Sequence, residues 1–366
     1  MANKLLIALL IDSCKQTAVQ SQTFTGTAPV FDKPMHRPNH WQRMDDEGSK
    51  QLRPAALVRK LDGFAAEGGG VIPQGGAPAF TLLRPAGPAI PVLVSAPHAG
   101  RHYPSRLVAR LRQPDATALM LEDRYVDRLA EEIALATGAT LLVAEAPRAM
   151  LDLNRSPQDV DWTMVERPDT SIPLHSRNNH RARGGLGLIP RKLVRLGEIW
   201  KDRLTWAELA ERIDCIHAPY HAAIQQVLAG LHEQWGVALL LDLHSMPPIA
   251  RQASHALPAQ YVVGDRFGAT CSAGLASFAI QQLGRGGRQV VHNLPYAGGY
   301  ILERHGQPRR NIHALQVEVC RSLYLDAAMR ELGPRHMAVA QELAMFVTAM
   351  ASEVSWLNRP IPQVAE

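Results

Sequence analysis

From Phe80 onward the apolar and polar positions fall into a regular alternation of short apolar runs and helical repeats. Pro91-Val-Leu-Val-Ser-Ala is a short apolar run closed by Pro97 and Gly100, the pattern of a buried strand. Across residues 123–137, Val126, Leu129 and Ile133 recur at helical spacing, and Gly138 stands where such a helix stops. Ala139-Thr-Leu-Leu-Val-Ala predicts a second buried strand and Val237-Ala-Leu-Leu-Leu-Asp-Leu a third. Residues 206–235 are helical over most of their length. Further strands are predicted at Gln260-Tyr-Val-Val-Gly, Gln289-Val-Val-His and His313-Ala-Leu-Gln-Val-Glu-Val, with helices near 272–283 and 334–350. Strands alternating with helices predict an α/β fold: a mixed, mostly parallel sheet with helices on both faces. In such sheets ligands sit at the carboxyl ends of the strands.

Ahead of this region the chain is different. Residues 12–60 are polar and weakly patterned, and residues 65–78 carry glycine and proline at a density that marks a linker. The expected organisation is an extension over 1–75, partly disordered, a main domain over 76–352 and a tail over 353–366. The 366 residues are 46% hydrophobic and 20% charged, ordinary for a soluble globular protein. Aromatic residues make up 5%, which argues against a nucleic-acid stacking surface. The 39 Lys and Arg exceed the 34 acids only slightly, so the net charge of +5 reads as a solubility setting compatible with a small anionic ligand. Cys14, Cys215, Cys271 and Cys320 form no metal-type spacing. They fit a reducing cytoplasm and point away from thiolate ligands. The apolar run at residues 5–11 is too short to span a bilayer, and Asp12 interrupts it as a secretory signal. A soluble, cytoplasmic protein with no membrane and no nucleic-acid partner is expected.

The polar residues at the predicted strand ends carry the chemistry. The first strand ends in Pro97-His98, the second leads to Arg148 and Asp152-Leu-Asn154-Arg155, the third contains Asp242-Leu-His244, and the late strand contains Gln316-Val-Glu318. Taken alone, His98 suits a turn. Asp242 and His244 fall on one side of a strand end, which suits either the orientation of a metal-ligating imidazole or an ordinary hydrogen-bonded pair. Glu318 in an apolar strand must be satisfied, and an ion pair with Arg321 is the plain alternative. Glu122-Asp123 suits helix capping as well as ligation. His221 reads as a buried structural histidine. Gathered at one sheet edge, these residues favour a functional reading. No HExxH and no GxSxG motif is present.

Pro97-His98-Ala-Gly, Asp123-Arg-Tyr-Val-Asp127, Arg148, Asp152-Leu-Asn-Arg155, Pro219-Tyr-His221, Asp242-Leu-His-Ser-Met, Asn293-Leu-Pro-Tyr-Ala-Gly-Gly-Tyr300 and Leu315-Gln-Val-Glu318 follow in that order. This series resembles the N-formylglutamate amidohydrolase family over roughly residues 80–330. Its Asp-Leu-Asn-Arg element is also similar to aspartoacylase and, more loosely, to zinc carboxypeptidases. The resemblance implies a phosphorylase/hydrolase-like fold with a zinc-exopeptidase layout and a catalytic domain over 76–352. It implies Zn2+, or another divalent metal, held by His98, Asp123 (Glu122 in reserve) and His244, with Glu318 as the base. Arg148, Asn154, Arg155, Asn293, Tyr296 and Gly298 would contact substrate, with Asp152 and Asp242 orienting their neighbours. The implied reaction is hydrolysis of a small anionic N-acyl amino acid, N-formyl-L-glutamate to formate and L-glutamate. A zinc amidase or carboxypeptidase acting on a peptide or cell-wall fragment, and a non-catalytic binding protein, are the alternatives.

Overall fold

In the computed structural model, residues 61–166, 180–249 and 258–356, apart from 62 and 88, are described. Most of the expected extension, and residues 357–366 of the expected tail, lie outside them. The main sheet contains β1 (Phe64–Gly69), β2 (Phe80–Pro85), β3 (Val92–Ala96), β4 (Thr140–Ala144), β7 (Ala238–Met246), β8 (Tyr261–Gly264), β9 (Val290–His292) and β10 (Ile312–Cys320). β5 (Lys192–Leu193) and β6 (Gly197–Glu198) form a separate two-stranded hairpin.

The eight strands run in the order β1-β2-β4-β3-β7-β10-β8-β9. The central four, β4-β3-β7-β10, are parallel. β2 joins β4 antiparallel and β8 joins β10 antiparallel, so the sheet is mixed with a parallel centre. Strand periodicity divides its two faces. Val92, Val94 and Ala96 of β3, Leu239, Leu241 and Leu243 of β7, and Leu315, Val317 and Val319 of β10 belong to one buried apolar cluster. The helices Val126–Thr137, Ala273–Leu283 and His336–Trp356 complete that cluster from their own apolar faces. The alternate residues, Ser95, Asp242, His244, Gln316 and Glu318, therefore point to the opposite face. There Ser95 Oγ lies 3.0 Å from the hydroxyl of Tyr220 on the helix Ala218–Trp235. Register completes the arrangement: Glu318 is opposite His244, and Ser95 and Gln316 flank Asp242.

Several elements differ from the sequence expectation. The glycine-rich stretch read as a linker supplies β1, paired antiparallel along the whole of β2. The main domain thus begins ahead of residue 76, because an edge strand is held by its partner's backbone and needs little side-chain patterning. At the other end the final helix runs to Trp356, four residues past the expected boundary at 352. It is long and apolar, and Val339, Leu343, Phe346, Val347, Met350 and Val354 are buried in the core. Glu122 and Asp123 do not open a helix. Glu122 follows the helix Pro114–Leu121, and the next helix begins at Val126 after Tyr125 adopts a left-handed φ of 57°. Residues 206–235 are helical throughout but contain a wider π-type turn at Ile213–His217.

Candidate active site

At the carboxyl edge of β3 and β7, His98, Asp123 and His244 come together, all buried, with one ligand-type atom from each within 4.8 Å of the others. The two imidazoles approach Asp123 through the same ring atom. His244 Nδ1 lies 2.9 Å and His98 Nδ1 3.5 Å from Asp123 Oδ2. Each opposite ring nitrogen is tied to a further carboxylate: His98 Nε2 donates to Asp152 Oδ1 at 2.7 Å and His244 Nε2 to Asp242 Oδ2 at 2.9 Å. Two imidazoles whose inward nitrogens converge while their outward N–H groups bind carboxylates have the arrangement of metal ligands. Two nitrogen donors and one carboxylate oxygen fit a divalent transition-metal cation.

The surrounding charges match this reading. Burial by itself would raise the Asp123 carboxyl, but hydrogen bonds and charge from His244 and His98 outweigh it and hold Asp123 well below the usual carboxylate range. Burial would lower His244, yet Asp242 and Asp123 hold it well above the ordinary imidazole value. Both shifts favour positive charge at the centre. On its other side Asp123 Oδ1 accepts from Ser245 Oγ at 3.1 Å and from Arg321 Nη2 at 3.3 Å. Arg321 also donates to Ser245 Oγ and to the carbonyls of Leu119 and Glu122. It is thus committed to Asp123 and its neighbours, not to Glu318. Glu122 sits beside Arg124, with its carboxylate 3.1 Å from the guanidinium, outside the His–Asp–His group.

Glu318 is buried on β10, beside His244 in register. It accepts from Gln316 Nε2 at 2.8 Å. Burial, with Asp123 and Asp242 adding to it against His244 and Arg148, pushes its carboxyl up to about 7. An acid poised there exchanges protons readily at neutral pH.

The Asp152–Arg155 turn borders the same space. Asp152 takes His98 on one oxygen and Arg148 on the other, Arg148 Nη2 lying 2.9 Å from Oδ2. Asp152 therefore orients a histidine as well as an arginine. Asn154 Nδ2 lies 3.3 Å from His244 Nε2, and its Oδ1 accepts from Ile301 N at 3.0 Å. Arg155 is buried and donates to the carbonyls of Leu186 and Asn154. Leu188 O accepts from Asp152 N at 2.7 Å, so the glycine-rich segment there backs this turn.

The loop before the helix Tyr300–His305 divides in function. Asn293 is not brought to the centre: Asp265 occupies both ends of its amide, donating backbone N–H to Oδ1 and accepting from Nδ2. Tyr296 is half-buried, and its hydroxyl is raised by burial and by the nearby charges of Glu318 and Asp123. Gly298 has a φ of 107°, a conformation that side chains disfavour. The close approach belongs to its neighbour, since a Cβ on Gly299 would stand 2.3 Å from Asn154 Oδ1. Gly299→Ala is expected to displace the Asn154 amide and to cost about 1–3 kcal/mol of stability in urea unfolding. An unchanged unfolding midpoint would show that the turn yields freely. Sequence reasoning assigned no role to Ser95 and Ser245, placed Gln316 only as a neighbour of Glu318, and offered Arg321 as a partner of Glu318, whereas it binds Asp123 and Ser245. Ser95, Ser245 and Gln316 lie on the same short strand-end segments as the named residues, which was their only local signal.

A buried His–Asp–His group with a separate raised acid, at the carboxyl edge of an α/β sheet, is an arrangement that can hold a divalent cation beside a proton carrier. The profile of the N-formylglutamate amidohydrolase family matches residues 90–325. The chain belongs to the N-formylglutamate amidohydrolase family. It is 30% identical over 280 residues to an N-formylglutamate deformylase of Pseudomonas aeruginosa, covering 72% of this chain and 95% of that one. A second N-formylglutamate deformylase, from Pseudomonas putida, is 30% identical over 65% of this chain and 82% of its own. Among solved structures, an N-formylglutamate amidohydrolase from Ralstonia eutropha is similar with a TM-score of 0.68 and 33% identity, covering 75% of this chain and 98% of that chain. A gene product of Agrobacterium tumefaciens, 16% identical, shares the fold with a TM-score of 0.53 over 72% of this chain and 90% of its own.

Proposed function

We propose that the protein hydrolyses the amide bond of an N-acyl amino acid, with N-formyl-L-glutamate as substrate and formate and L-glutamate as products. The observation that carries this reading is the convergence of His98 Nδ1, His244 Nδ1 and Asp123 Oδ2 beside the raised acid Glu318. The names of the relatives supply the substrate. Zinc is proposed as the metal, held by His98, Asp123 and His244. Bound there it supplies Lewis-acid polarisation and a lowered pKa for the attacking water.

The chain's own residues do the rest. Glu318 takes a proton from the attacking water as the C–O bond forms. It delivers that proton to the amide nitrogen as the C–N bond breaks, so the acid returns to its starting state. Arg155 receives the α-carboxylate of the substrate through its planar guanidinium, with the Asn154 amide beside it. Arg148, facing Asp152, is proposed for the second carboxylate or the developing oxyanion. Asp152 and Asp242 hold the two imidazoles in the tautomer that presents Nδ1 to the centre. Tyr296 and Gly298 are proposed to line the substrate space. A reducing, cytoplasmic setting is also proposed, in keeping with Cys271 and Cys320, which are buried and in no disulfide.

The test is formate release from N-formyl-L-glutamate by purified protein, before chelation, after it, and after zinc is returned. Release that stops on chelation and resumes with zinc is the expected result. A folded, zinc-loaded sample that releases no formate would remove the named substrate.

A further inference from the structure

Behind the Asp152–Arg155 turn lies a group of histidines that the proposed chemistry does not use. His217 ends the π-type turn Ile213–His217, and His221 lies one helical turn later on Ala218–Trp235. His305 closes the helix Tyr300–His305. All three are buried. His217 Nε2 lies 2.9 Å from the carbonyl of Arg155 and His221 Nε2 3.0 Å from the carbonyl of Leu153. A carbonyl only accepts, so both Nε2 atoms carry the hydrogen. His221 Nδ1 is then an acceptor, and His305 Nε2 donates to it at 2.9 Å. Burial pushes His217 down to about 4 and His305 to about 3, and holds His221 well below the ordinary imidazole value, so each ring is a neutral one-proton donor at neutral pH.

The carbonyl between them is also taken. Asn154 O accepts from Arg155 Nη1 at 2.9 Å and from Tyr300 N at 3.4 Å. Three consecutive carbonyls, 153 to 155, are therefore each held, and two of the donors come from imidazoles on one helix. An ordinary loop is satisfied by water or by its own backbone. The π-type turn that ends at His217, one turn before His221, is consistent with this, since such turns are frequent at functional sites.

We propose that His217 and His221, with His305 behind them, are positioning residues that fix the 153–155 backbone so that Asn154 and Arg155 meet the substrate carboxylate in a single pose. This rests on the reading of Arg155 as the carboxylate receptor. The hydrogen bonds of the histidines go to the 153 and 155 carbonyls and to one another, not to the His98–Asp123–His244 group, so the expected effect is on substrate binding and not on metal content.

The experiment compares His217→Gln with His217→Asn in the full-length, zinc-loaded protein. The glutamine amide places its nitrogen where Nε2 stood and reaches Arg155 O, whereas the asparagine amide is one methylene too short. The two variants carry the same amide group, and the folded fraction of each is measured so that any difference in stability is separated from an effect on KM. The expected result is a KM for N-formyl-L-glutamate within about twofold of wild type for Gln, and raised about tenfold or more for Asn. For both, kcat should stay within about threefold and zinc content should be unchanged. Equal KM values for the two variants, or kcat and KM changes that merely follow the folded fraction, overturn the proposal. Wild-type turnover and the KM of Arg155→Lys are measured alongside. A wild-type protein that releases no formate, or an unaltered KM in Arg155→Lys, removes the substrate reading instead. The positioning role is then decided by crystal structures of the two variants: a 153–155 backbone displaced in Asn and retained in Gln supports it, and an unmoved backbone in both removes it.

Discussion

Glu318→Gln is expected to lower kcat about a thousandfold while leaving the metal in place. The substitution keeps the shape of the side chain and the hydrogen bond from Gln316, but removes the group that carries a proton between water and the leaving amine. It also removes a carboxyl group that is buried, facing Asp123 and Asp242, and pushed up to about 7. Its ionised form is disfavoured in the folded protein, so the neutral amide should leave the Tm at pH 8 equal to or above that of wild type. Three measurements check this together: formate release, metal content and thermal unfolding. Normal turnover by the variant would take the base role away from Glu318. Loss of the metal would instead place Glu318 among the groups that hold it.

His244→Ala is expected to fail in a different way. It removes one of the three converging donors and should weaken metal binding by about 100-fold or more, abolishing turnover with it. It also takes the imidazole partner from Asp123 and Asp242, which are 2% and 0% exposed, leaving Asp123 with Ser245 and Arg321 and Asp242 with Ser95. Breaking a buried pair by removing one partner costs about 3 kcal/mol or more, so the unfolding midpoint of the metal-free variant should drop below that of metal-free wild type. Metal content by atomic spectroscopy and urea unfolding without metal read the two effects separately. Stoichiometric metal in His244→Ala would move the centre elsewhere. An unchanged midpoint would mean that Asp123 and Asp242 find other partners. Together the two variants separate the proton carrier from the metal holder, because one keeps the metal without activity and the other keeps neither.

The legible parts of the fold were those written into neighbouring residues. The apolar runs of β3, β4 and β7, the helix ended by Gly138 and the long helical stretch after Trp206 all follow from short-range periodicity and capping. The polar residues interrupting or closing those runs, His98, Asp242, His244 and Glu318, stood out because an α/β sheet offers its strand ends to ligands. Less visible were elements whose pattern depends on a distant partner. β1 is a strand because β2 pairs with it, and its glycine-rich sequence reads as a linker without that partner. The short helix Tyr300–His305 was not anticipated, because six residues carry too little periodicity to show.

The sequence by itself determined which residues stand at the carboxyl edge of the sheet, since the period of a strand and the apolar run before it are local properties. The family resemblance carried by its ordered motifs added the reaction. The tertiary structure decided which of those residues meet. Asp152 reaches across to His98, Asp242 turns back on His244, and Asp123 is presented by a left-handed connection at Tyr125, not by a helix cap. It also made His221, which reads as structural in the sequence, and His217, which carries no signal there, into donors to the carbonyls on either side of Asn154. Apart from the Asp242–His244 contact, which one strand supplies, such pairings join distant residues: His98 and Asp152 are 54 positions apart and Asp123 and His244 are 121 apart. They are set by strand order, register and helix packing, which arise from the burial of the whole core and leave no trace in any short segment of the chain.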